Sequence, residues 1–186
     1  MNDSAMTKTA YSMLCALCIA VSAAVQLVFP NFGANGSVFF AVFLCAVCCP
    51  LKYGVFCAIV CPVISMMTAG SPAAVLVPAK MAGGLVFLLL SRLLLGRIHT
   101  GRLFADLYIC LVPSVCIGQI IGALISSTIF CGERNAVILY VLESLITAIP
   151  AIAVLLAVAP GTVLLLKSLG MTESRLFAEQ KTENSV

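Results

Sequence analysis

Charge is what this sequence has least of. Only 9% of its 186 residues are Asp, Glu, Lys or Arg, against roughly a quarter in a soluble domain. There is no tryptophan and only one histidine, His99, in a basic stretch, which argues against a histidine-built metal site. No Gly-rich phosphate loop or nucleophile motif is present, so the chain has no evident means of hydrolysing ATP or forming a covalent intermediate. No basic stripe interleaved with aromatics points to nucleic acid. What the chain does have is 62% hydrophobic residues and a mean hydropathy of +1.19. It cannot cover itself with polar surface and belongs in a bilayer. The length suits one membrane domain, 1–170, followed by a polar cytoplasmic tail, 171–186.

The apolar runs predict an all-α membrane protein of six spanning helices. They fall at about 11–29, 37–49, 53–67, 73–95, 103–130 and 137–169. The first is long enough for a retained span rather than a cleaved leader, and the second is short for a span. PNFGANG (30–36) reads as a turn, and Pro50, Lys52 and Gly54 close the second run. Pro62 predicts a kink in the third helix. The sixth, longer than a simple span, should tilt, kink or break at Pro150 and at Pro160-Gly161.

Basic residues set the orientation. With six spans, Lys8, Lys52, Arg92, Arg97, Arg102, Lys167, Arg175 and Lys181 share one side with both termini. Arg134 alone lies on the other side and Lys80 within a span, so the positive-inside rule places both termini in the cytoplasm. Three short outer loops follow: PNFGANG, TAGSP and CGERNA.

The two ionisable residues deepest in apolar runs are Lys80 and Glu143. Each is about two helical turns from the outer end of its helix. A lysine so placed costs a few kcal/mol if it faces lipid, so it should face the interior, a water-filled cavity or a counter-charge. The two could pair across a cavity or bind opposite ends of a zwitterionic solute. Asn31 and Asn35 in the first outer loop, and Glu133, Arg134 and Asn135 in the third, could form a polar lip. Gln119 in the fifth helix needs a hydrogen-bond partner, from another helix or from solute. In the first helix Ala16, Ala20 and Ala24 recur every four residues after Ser12, a spacing that lets another helix approach closely, within the chain or from a separate subunit.

Of ten cysteines, nine sit in apolar runs, where cysteine behaves as a small hydrophobe, and Cys131 falls in an outer loop. The C-x-x-C pairs Cys15–Cys18 and Cys45–Cys48 could serve a small membrane thiol oxidoreductase. Their apolar neighbours supply no activating base. A non-binding structural subunit is the remaining alternative.

The stretch PVISMMTAGSPAAVLVPAKMAGGL resembles the turn and fourth helix of the substrate-binding S components of energy-coupling factor (ECF) vitamin transporters. AIPAIAVLLAVAPGTVLLLK is similar to that family's twin-proline closing helix, and Ala16-Ala20-Ala24 to its docking face for the transmembrane T component. The resemblance implies a six-helix bundle in a bacterial or archaeal plasma membrane. Such a subunit captures a vitamin or related solute from outside, needs no cofactor of its own, and topples on a T component driven by two cytoplasmic ATPases. Many relatives carry an acidic residue near the position of Ala79-Lys80; the reversed charge favours a carboxylate-bearing guest. The start MNDSAM lacks the histidine-rich amino terminus of the family's nickel and cobalt members.

Overall fold

A computed structural model describes residues 8–28, 30–70, 72–98, 100, 103–130 and 134–168. Among them are six long helices and no strand: α1 Lys8–Val28, α2 Pro30–Cys48, α3 Leu51–Ala69, α4 Val77–Leu95, α5 Leu103–Phe130 and α6 Arg134–Ser168. All except α2 are long and apolar enough to cross a membrane, α4 counted with the 3₁₀ turn Ala74–Leu76 that leads into it. The chain is a multi-pass membrane protein.

The short second helix is the centre of the molecule. Residues 41–49 are buried whichever way their side chains point, and α2 packs against α1, α3, α4 and α6. A helix apolar all round belongs in a core. Around it α1, α3, α4, α5 and α6 follow one another in an arc, each in contact with the next.

One expectation is corrected here. PNFGANG is not a turn: it forms the first two turns of α2. Proline at the first helical position loses no hydrogen bond, because that N–H has no helical acceptor. A Cβ on Gly36 would sit 2.9 Å from Ala151 Cβ, so the bare backbone brings α2 against α6, and packing overrides the glycines' low helix propensity. Of the tilt, kink or break expected of the sixth helix, the break does not occur: α6 runs 35 residues through Pro150 and Pro160. At 1.5 Å per residue it is about 52 Å long, against roughly 30 Å of bilayer hydrocarbon, so it runs obliquely or stands clear of the membrane at an end. Likewise α3 continues through Pro62.

α4 and α5 meet backbone to backbone. A Cβ on Gly83 would lie 2.7 Å from the Gly118 carbonyl oxygen, and one on Gly118 would lie 2.9 Å from the Gly83 carbonyl oxygen. Gly118 and Gly122 form a G-x-x-x-G pair, which lets backbones meet without side chains between them. At the end of α3 the chain reverses on Gly70, whose φ of 66° is left-handed and whose N–H donates to the Met66 carbonyl. The turn read from TAGSP is therefore present and depends on glycine.

Candidate functional site

A cavity of about 350 Å³ lies at the end of the bundle that carries this turn. Its floor is Val38 and Phe39, at the start of the buried part of α2. Phe39 is held edge-on to Phe87 of α4, ring centres 4.9 Å apart. Pro62 and Ser65, one turn apart on α3, form one side. Across from them the chain after the turn contributes Pro72, Ala73 and Leu76, the last residue of the 3₁₀ turn, and α4 contributes Lys80 and Gly84. Lys80 and Gly84 are four residues apart, so they share one face of α4. The last wall is a stripe of α6: Tyr140, Glu143, Ser144 and Thr147.

Lys80 and Glu143, far apart in sequence, thus line one cavity. Lys80 reaches it from the second turn of α4, the charge kept off the lipid face by the side of the helix it occupies. The adjacent glycines of α4 divide two tasks. Gly83 admits α5, while Gly84 faces α3 and the cavity, where a Cβ would meet Ala58 no closer than 3.6 Å.

Thr147 has a further constraint. Its hydroxyl lies 2.9 Å from the Glu143 carbonyl oxygen and 3.2 Å from that of Ser144, so its proton is donated to its own helix. Its oxygen keeps acceptor capacity.

The other candidate residues fall elsewhere. Gln119 is buried in α5, outside the cavity lining, and its Nε2 donates to no described group. Asn31, Arg134 and Asn135 lie on the first turns of α2 and α6, but their side chains are outside the described residues, as are Glu133, Cys131 and His99. Ser65, Tyr140, Ser144 and Thr147 are site residues that the sequence reading missed. The signal was available: 140, 143, 144 and 147 are the i, i+3, i+4, i+7 positions of one helix face around Glu143.

Ala16, Ala20 and Ala24 are exposed. Ala16 and Ala20, with Ser12 and Ala23, line a shallow groove between α1 and α3 whose opposite wall includes Tyr53 and Phe56. Seven cysteines are instead buried where α1, α2 and α3 meet: Cys15, Cys18, Cys45, Cys48, Cys49, Cys57 and Cys61. The Cys57 and Cys61 sulfurs are 3.6 Å apart, and Cys15 Sγ lies 3.5 Å from the Tyr53 carbonyl oxygen. Cys116, expected to be buried, is exposed on the outer face of α5. Among the described residues no group of three or more His, Cys, Asp or Glu side chains is arranged to hold a metal ion.

No known protein family, curated protein or solved structure matches this chain. The functional reading therefore rests on the geometry.

Proposed function

We propose that this chain is the solute-capturing subunit of an ATP-driven importer of the ECF type. It would cross the membrane six times with both termini in the cytoplasm and present its cavity to the outside. The single observation that carries the reading is the convergence of Lys80, Glu143 and the hydroxyl-bearing residues Ser65, Tyr140, Ser144 and Thr147 on one cavity in an otherwise apolar bundle. Ionisable groups in such a bundle are costly and mark a functional site by default. The cavity's volume is in the range of small-molecule sites, and its apolar floor beside a few polar groups is their usual chemistry.

In this reading the guest is a vitamin or related organic micronutrient. Energy comes from two cytoplasmic ATPases acting through a transmembrane T component. The groove beside Ala16 and Ala20 is where that component would dock, since small residues let its helix approach closely. The buried cysteine pairs favour the thiol oxidoreductase less, because a catalytic thiolate needs an accessible, electropositive setting.

Affinity purification of the full chain from its native membranes tests the assignment. The expected result is co-purification of one further membrane protein and two ATPases, lost in an Ala16→Leu/Ala20→Leu double variant whose own melting is unchanged. A chain that purifies without ATPases, in wild type and variant alike, contradicts it.

A further inference from the structure

The two helical walls of the cavity differ in hydrogen-bonding character. On α4 the one polar side chain is Lys80, whose ammonium donates and cannot accept. On α6 Glu143 is a carboxylate, which accepts and cannot donate, and Thr147, one turn on, has already given its proton to the backbone carbonyls of Glu143 and Ser144. Lys80 therefore offers a partner for an anionic or acceptor group, and Glu143 with Thr147 one for a cationic or donor group, while the hydroxyls of Ser65, Tyr140 and Ser144 can serve either. Between them Val38, Phe39, Pro62 and Leu76 offer only hydrocarbon.

We infer that the guest is a zwitterion, with a carboxylate at Lys80, an ammonium or similar cation at Glu143 and Thr147, and an apolar body lying on Phe39. This rests on the reading of the cavity as a solute site. Size narrows the class. At about 350 Å³ the cavity is at the lower end of the range of small-molecule sites. That is the scale of a single-ring amino acid or a compound like it.

Four probes of matched size separate the charges: phenylalanine (both charges), 3-phenylpropionate (carboxylate only), phenethylamine (cation only) and 3-phenylpropanamide (neither). Each is titrated against the full chain in lipid nanodiscs, and binding is read as a rise in melting temperature. Because a hydrogen bond to a charged group is worth about tenfold or more in affinity, phenylalanine should act at roughly a tenth the concentration of either singly charged probe or less. Glu143→Gln should erase the advantage of phenylalanine over 3-phenylpropionate, and Lys80→Met its advantage over phenethylamine. Equal potency of all four probes, stronger binding of a singly charged one, or no response to any at millimolar concentration overturns the inference. The solute reading is judged separately, by mass spectrometry of what co-purifies with the wild-type chain. A neutral co-purifying molecule sinks the zwitterion and leaves the cavity a solute site, whereas a chain that neither carries nor binds any small molecule sinks both.

Discussion

Replacing Gly83 with alanine should destabilise the protein, although alanine is the better helix former. The added Cβ would lie 2.7 Å from the Gly118 carbonyl oxygen and 3.3 Å from Gly122 Cα. Both are backbone atoms of α5, so no side chain can rotate away. The helices must part by roughly half an ångström, and a gap of that size forfeits about a quarter of the dispersion energy of the contacts it opens. The α4–α5 contact is the most extensive in the bundle, so the loss is spread over many atoms. Overpacking of this kind costs about 1–3 kcal/mol. Helix propensity returns at most about 1 kcal/mol. The net is a destabilisation of about 0–2 kcal/mol for Gly83→Ala. Gly161→Ala supplies the internal control, because nothing lies within 4 Å of its added Cβ. There the propensity gain stands alone, and stability should rise by about 0.5–1 kcal/mol. Thermal melting of both variants in the same detergent, with helix content followed by circular dichroism, gives the two signs. Gly83→Ala melting at or above Gly161→Ala would refute the reasoning, since it would mean that the backbone approach between α4 and α5 is not as close as described.

Other outcomes follow from single residues. Lys80→Met should weaken guest binding about ten- to hundredfold, the worth of one charge-assisted contact. A lower melting temperature with unchanged affinity would make Lys80 a structural residue. Gly70→Ala should cost about 1–2 kcal/mol through its left-handed φ alone, there being nothing within 4 Å to clash with, and Gly70→Asn should cost less. The proposed topology puts both termini in the cytoplasm, so an epitope tag at either end should resist protease added to intact cells and be cleaved only after permeabilisation.

Much of this architecture was legible in hydropathy, because in a bilayer the length of an apolar run is itself the structural constraint. The same logic singled out Lys80 and Glu143, which line one cavity, because a charge in such a segment has few tolerable neighbours. What could not be read was whatever depended on contact between distant segments. PNFGANG has the composition of a turn, and nothing local reveals that Gly36 meets Ala151. Nor does the short run 37–49 announce that it is the central helix, because its burial is supplied by four neighbours. The sequence left open whether α6 tilts, kinks or breaks at its prolines; the hydrogen bond each proline forgoes does not outweigh the rest of the ladder, and the helix continues through both. The wall of Tyr140, Ser144 and Thr147 was recoverable by helical spacing from Glu143 and was missed because each residue alone is ordinary. Cys116 shows the converse: an apolar neighbourhood in sequence does not say which face of the helix a residue occupies, and this one faces outward.

The central claim is that the hollow between α4 and α6 receives a small molecule, and native mass spectrometry of the full chain released from detergent tests it most directly. The account predicts one organic guest bound per wild-type chain, and none on a Ser144→Phe variant whose ring occupies the cavity while the helices stay folded. A wild-type chain that never carries a guest, or a Ser144→Phe variant that carries the same guest as fully as wild type, would contradict it.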